Sequence, residues 1–262
     1  MAALGGTLWW AADFGRRRNA LVNYGAVLGL PPDHPRVRQV ARHAFQNYTR
    51  MIADFLLMGS LKPEEIPGIV QLEGQEHADA ALAAGQGAIL ALPHMGSWDF
   101  AGSLGSVWGY PVSAVAETFP GSLNDAVVET RSTHGLDVIP LNRSVVRAIN
   151  QVLDRNGFVA LLCDLPQGPG AEVRFFGKRA IVPSGPAAIA CRRGIPILPV
   201  YSRRTGSLSY CLHVDPPIRP PASDRCRGKE ATAELMQQVV ERFESFIRDH
   251  PDQWYAFRHI LH

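Results

Sequence analysis

The stretch Ala88-Ile-Leu-Ala-Leu-Pro-His94-Met-Gly-Ser-Trp98-Asp99-Phe100 decides how this chain folds. Its first residues are uniformly apolar, without the alternation of a half-exposed strand. That pattern belongs to a strand covered on both faces, as in a parallel sheet between helical layers. Pro93 closes the run, His94 stands at its carboxyl end, and Ser97 is placed to cap a helix that puts Asp99 in its first turn. Ligands gather at the carboxyl edge of open α/β sheets, so a histidine there is a candidate for chemistry.

Outward from this stretch the same alternation repeats. Residues 69–72, 112–117, 137–140, 158–164, 172–176, 197–203 and 209–214 read as further strands beside 88–93. Helices are expected at 75–84, 97–108, 121–134, 144–155, 184–193 and 229–250. Strands alternating with helices argue an α/β fold with a mainly parallel central sheet flanked by helices. Upstream, Val37, Ala41, Ala44, Phe45, Tyr48, Met51, Ile52 and Phe55 recur at three- and four-residue spacing, a helix over 35–59 ended by Gly59 and Pro63. The expected organisation is one domain over 1–262, helical over 1–62 and an α/β core over 63–262.

Composition agrees: 46% hydrophobic and 19% charged residues support a sizeable core and exclude a disordered chain. Cys163, Cys211, Cys191 and Cys226 form no CxxC pair and sit near no histidine at metal spacing, so they read as buried free thiols in a reducing compartment, with no metal site. Net charge is only +2, but residues 1–62 carry eight Lys/Arg against three acids. Residues 173–204 hold Arg174, Lys178, Arg179, Arg192, Arg193, Arg203 and Arg204 with no acid. Two such stretches suggest an anionic partner, such as a lipid headgroup, a phosphorylated cofactor or an acidic carrier protein; no nucleic-acid motif accompanies them. No segment reads as membrane-spanning. Leu4 to Ala12, with Trp9-Trp10 and then Arg16-Arg17-Arg18, has its charges on the wrong side for a signal peptide and reads either as an interfacial anchor or as a helix packed on the domain.

The chemistry expected of His94 is that of a general base. A carboxylate on one ring nitrogen orients the imidazole, and the other nitrogen takes a proton from a hydroxyl attacking an activated carbonyl. Asp99, brought back by a turn at Gly96, is the expected carboxylate. The bland alternative is a turn histidine satisfied by a local aspartate. Other chemistries find no support: there is no G-x-S-x-G elbow, no G-x-x-x-x-G-K-[ST] loop and no HExxH.

Val70-Gln-Leu-Glu-Gly74, Gly85-Gln-Gly87-Ala-Ile-Leu and His94-Met-Gly-Ser-Trp-Asp99 resemble motifs of the lysophospholipid acyltransferase superfamily. Its nearest branch holds the bacterial lipid A lauroyl/myristoyl acyltransferases and the phosphatidylinositol mannoside acyltransferases. The resemblance continues through Arg131-Ser-Thr-His-Gly135, Leu161-Leu-Cys-Asp164-Leu-Pro-Gln167, Val173-Arg-Phe-Phe-Gly177, Pro183-Ser-Gly-Pro and Pro199-Val to His250-Pro-Asp-Gln-Trp254. It implies direct transfer of a fatty acyl group from acyl-CoA or acyl-carrier protein to a lipid or glycolipid hydroxyl, with no permanently bound cofactor. His94 and Asp99 are then catalytic, with Glu117 and Arg131 beside the site. Glu172 resembles a second acidic position that mannoside-acylating members keep near their histidine, and Asp164 competes for that role. From charge, Arg192 and Arg193 are expected to meet the donor. The implied location is the cytoplasmic face of the bacterial plasma membrane, peripheral or N-terminally anchored. Lipid A members usually carry Glu in place of Asp99, and the carboxyl end Tyr255-Ala-Phe-Arg-His-Ile is thinner in Trp, His and Arg than theirs, which leaves the acceptor open. The rival class is a non-catalytic lipid- or carrier-binding protein that keeps the fold.

Overall fold

A computed structural model describes residues 1–118, 121–222, 226 and 228–261. Three helices open the chain: α1 (Ala2–Ala12), α2 (Phe14–Leu28) and α3 (Pro35–Met58). A short α4 (Ile66–Ile69) leads into β1 (Val70–Glu73), α5 (Gln75–Ala83), β2 (Ala88–Leu92), α6 (Trp98–Val107), β3 (Val112–Ala116), α7 (Ser122–Thr133) and β4 (Asp137–Pro140). Next come α8 (Val145–Asp154), β5 (Phe158–Leu162), β6 (Gly170–Phe175), β7 (Lys178–Pro183), α9 (Gly185–Arg193), β8 (Ile197–Gly206), β9 (Ser209–Val214) and α10 (Gly228–Asp249).

Seven strands form one sheet in the order β1-β9-β8-β2-β5-β3-β4, in which every neighbouring pair is parallel except β8–β9. The 88–92 run lies near its centre. Because side chains alternate across a strand, Ile89 and Ala91 join the core under α2, α3 and α8–α10, whereas Ala88 and Leu92 join a second core under α5 and α6. Each apolar residue of the run therefore has an apolar layer to enter, which explains the missing alternation.

The expected elements appear within a few residues of their predicted ends, and β7 is the strand that sequence reading missed. It pairs antiparallel with β6 through Phe176-Gly177, both at positive φ, the geometry of a tight two-residue hairpin. A phenylalanine is an unusual occupant of that turn, so no turn signal marked it. Here its N–H donates to Glu244 at 2.5 Å and its ring packs on Phe175 and Trp254, contacts that hold the strained backbone.

Two further expectations are corrected. Cys191 at the end of α9 and Cys226 ahead of α10 are joined in a disulfide, with Cα atoms 5.2 Å apart; Cys163 and Cys211 are free and buried. Thirty-five residues separate the bonded pair, and only the packing of α9 beside α10 brings them together. The basic run 173–204 is also less unopposed than its sequence window suggests, since four of its seven basic residues find an acid within the chain. Arg179 pairs with Glu172, Arg193 with Asp154, Arg203 with Glu73 and Arg204 with Asp54. All four acids lie outside the window in which the run looked unopposed, Glu172 by a single residue.

The N-terminal tryptophans pack on the domain. Trp9 lies 4.5 Å from the Phe45 ring and 5.1 Å from Phe257, and Trp10 meets Phe45 edge-on. Leu4, Leu8 and Phe14 point outward instead. No helix among the described residues is long and apolar enough to cross a membrane.

Candidate functional site

Strand register builds the centre of the site. β2 and β5 are parallel neighbours with Leu92 opposite Leu162, so the residue two beyond each end, His94 and Asp164, fall side by side at the carboxyl edge. Cys163 N–H continues the ladder to the Leu92 carbonyl at 3.0 Å. The Asp164 side chain is fully buried and takes three hydrogen bonds. His94 Nδ1 lies 2.6 Å from Oδ1, while the His94 backbone N–H (3.0 Å) and Trp254 Nε1–H (2.7 Å) both donate to Oδ2. A carboxylate only accepts, so Nδ1 is the protonated nitrogen and the Nε2 lone pair is left for the cavity that His94 lines.

Asp99 is not the carboxylate on His94, as sequence reading expected. Gly96 does make a turn, with φ +62°, but the turn is pressed against β8, where an added Cβ would lie 2.0 Å from the Ser202 carbonyl oxygen. From there α6 carries Asp99 to α7, and its Oδ1 accepts from Arg131 Nε at 2.7 Å. Both members of this ion pair are nearly enclosed and line the same cavity as His94. Burial raises the Asp99 carboxyl pKa above its ordinary value, against the downward pull of Arg131. Ser97 stands at the N-cap of α6 as expected, though its hydroxyl makes no capping bond.

The carboxyl-terminal segment locks this edge. Tyr255 N–H donates to the His94 carbonyl (2.8 Å), Tyr255 Oη–H to the Gly96 carbonyl (3.0 Å), and Gly96 N–H to the Gln253 carbonyl (3.1 Å). The N-terminal helices hold that segment in turn. Asn23 Nδ2 donates to the carbonyls of Ala256 and Arg258, Asn47 Nδ2 to Asp252, and the Tyr24 hydroxyl to the Trp254 carbonyl. The helical segment thus fixes the site through side-chain amides, a role its apolar periodicity did not announce.

A cavity of about 640 Å³ opens at His94 and runs along both faces of the sheet. One arm, beside α6, is lined by Leu72, Ala101, Gly105, Tyr110, Ala114, Phe158 and Ala160. The other, beside α8 and α9, is lined by Val115, Leu141, Val146, Ile149, Leu161 and Ile189. Glu117 follows β3 at the rim and accepts from Gln167 Nε2. Cys163 also borders the cavity, but burial first, and the Asp164 charge second, hold its thiol well above the usual range and keep it from acting as a thiolate nucleophile.

Three of the sequence candidates lie elsewhere. Glu172 is exposed on β6 in its ion pair with Arg179, off the cavity. Arg192 is exposed on α9, and Arg193 is tied to Asp154 (2.6 Å) and Asn150 (3.3 Å). Of the two acids considered for a second position near the histidine, Asp164 is the one in contact. Among the described residues no three His, Cys, Asp or Glu side chains converge as a metal site would require.

Comparison with known proteins identifies the family. A family model described as "Bacterial lipid A biosynthesis acyltransferase" matches residues 2–261. A phosphatidylinositol mannoside acyltransferase of Mycobacterium tuberculosis (strain ATCC 25618 / H37Rv) is 31% identical over 245 residues, covering 90% of this chain and 74% of the relative. One from Mycolicibacterium smegmatis is 30% identical over 260 residues, covering 95% and 81%.

Proposed function

The chain belongs to the bacterial lipid A biosynthesis acyltransferase family and is a lipid acyltransferase, and on that premise we propose that it moves a fatty acyl group from an acyl-CoA or acyl-carrier-protein thioester directly onto a glycolipid hydroxyl, with His94 as general base. The observation that carries this reading is the pairing of half-buried His94 with fully buried Asp164 at the mouth of an apolar cavity. Asp164 holds the imidazole with Nδ1 protonated, so Nε2 takes the proton of the acceptor hydroxyl as its oxygen attacks the thioester carbonyl. Such base assistance contributes about 10²- to 10⁴-fold in rate. The thioester carbonyl collapses through a tetrahedral oxyanion, expels the thiolate and needs no acyl-enzyme. The N–H groups that open α6 and the Arg131 guanidinium, fixed by Asp99, supply positive potential for that oxyanion.

The cavity arm beside α6 takes the acyl chain, since aliphatic walls next to Nε2 suit a hydrocarbon tail whose carbonyl stays at the edge. A sugar hydroxyl as acceptor is supported by the names of the mycobacterial relatives. Docking on a lipid surface is supported by the outward-facing Leu4, Leu8, Phe14, Ile52, Leu56 and Leu57 of the first three helices, beside Arg16, Arg17 and Arg18.

The test is incubation of the protein with labelled palmitoyl-CoA and a total lipid extract, beside a His94→Ala control, repeated with acyl-carrier protein as donor. A labelled lipid made by the wild type and absent with His94→Ala supports the reading, and mass analysis of that product names the acceptor. Absence of product with both donors, or equal product from both proteins, would overturn it.

A further inference from the structure

We propose that Tyr110 sets the length of acyl chain the protein accepts, by ending the cavity arm that starts at His94; the proposal rests on the reading of that arm as the acyl site. His94 lies at the carboxyl edge of the sheet, whereas Tyr110 lies just ahead of β3, at the opposite edge, and both line the same cavity. From Ala88, the first residue of β2, to His94, two residues past its end, the chain advances six residues. At about 3.3 Å per residue that is about 20 Å of depth. Carbon–carbon bonds of about 1.5 Å at angles of about 111° advance an extended chain by about 1.25 Å each. The arm therefore holds about sixteen bonds, enough for the roughly fifteen carbon–carbon bonds of a palmitoyl group.

Side-chain size along the arm agrees with a channel that is open in the middle and shut at the far end. Halfway down, Ala114 of β3 and Ala160 of β5 are register partners, and two adjacent methyl groups leave a trough in the sheet surface. Gly102 and Gly105 of α6 border the same space without side chains. At the amino edge the register pair becomes Val112 and Phe158, and the Tyr110 ring stacks on Phe158 with centroids 6.0 Å apart. The Tyr110 hydroxyl donates to Asp79 of α5 at 2.5 Å, which ties the ring between sheet and helix. A longer chain must displace this held ring or leave methylenes outside the arm.

The experiment measures kcat/KM for lauroyl-, myristoyl-, palmitoyl-, stearoyl- and arachidoyl-CoA, and in parallel the affinity for S-alkyl-CoA thioethers of the same lengths, which bind without reacting. The wild type should favour palmitoyl and fall off beyond it. Tyr110→Ala should raise the stearoyl-to-palmitoyl ratio about tenfold, the scale on which a pocket discriminates methylenes. Ala114→Leu, which fills the trough, should move the optimum to lauroyl or myristoyl. Ala114→Leu stands as an independent test if Tyr110→Ala does not fold. Variants that keep the wild-type length profile in binding overturn the gauge. A shifted binding profile without turnover in any protein supports the gauge and overturns acyl transfer instead.

Discussion

Replacing Asp164 by asparagine is the most direct test of which carboxylate serves His94. The substitution keeps size and burial but turns one oxygen into an NH₂ group. Two orientations of the amide are available. If its oxygen stays where Oδ2 was, it still accepts from the His94 and Trp254 N–H groups, and its NH₂ then faces His94 Nδ1. If it flips, the oxygen meets Nδ1–H, but the NH₂ confronts two buried donors, each left unpaired at about 1–3 kcal/mol. The first orientation wins, and it forces Nδ1 to become an acceptor. The proton then sits on Nε2, the nitrogen that should take one from the hydroxyl. The same exchange in a Ser-His-Asp site lowers kcat about 10⁴-fold through the wrong tautomer, so a loss of about 10³- to 10⁴-fold is expected here, with KM changed little. The assay is labelled acyl transfer under single-turnover conditions, with ¹⁵N NMR of the imidazole reporting the tautomer. Asp99→Asn is the companion variant. It removes the counter-charge of a buried Arg131 and should cost stability, about 3 kcal/mol, while lowering kcat less than Asp164→Asn does. If Asp164→Asn stays within tenfold of wild type and Asp99→Asn is inactive, the His94–Asp164 pair does not operate in catalysis.

Trp254→Phe preserves the ring packed against Tyr24, Phe175 and Phe176 but deletes the donor to Asp164 Oδ2. A charge-assisted bond of about 1.5–3 kcal/mol is lost, and kcat should fall about tenfold in the labelled acyl-transfer assay; an unchanged kcat would reduce Trp254 to a packing role. Cys191→Ser opens a loop of 35 residues, for which chain-entropy arguments give about 4 kcal/mol, so urea denaturation should show a lower midpoint in the variant, and the wild type with reductant should match it. Burial, with a lesser contribution from the hydrogen bond to Glu73, pushes the Cys211 thiol up to about 11. Its thiolate therefore increases tenfold per unit as pH rises towards that value. Native alkylation at about pH 8 should be on the order of 10²-fold slower than for an ordinary thiol near 8.5, as read by mass spectrometry of that peptide; modification at the ordinary rate would contradict its burial.

What the sequence determined by itself was local. A uniformly apolar run needs cover on both faces, so the parallel sheet was legible from residues 88–92 and their repeats, and His94 at a strand's carboxyl end followed from the position of Pro93. Helix 35–59 followed from its three- and four-residue spacing in the same way. The partner of His94 was not legible, because it depends on register between strands 70 residues apart in sequence: Leu92 opposite Leu162 puts Asp164, and not the nearby Asp99, on the imidazole. The Cys191–Cys226 bond, the ion pairs that Arg193 and Arg203 make with Asp154 and Glu73, and the clamp from Asn23 and Asn47 onto the carboxyl end are of the same kind. Periodicity reports which face of an element is buried, whereas contacts between distant elements are fixed only when those faces pack, and the candidate site is built from such contacts.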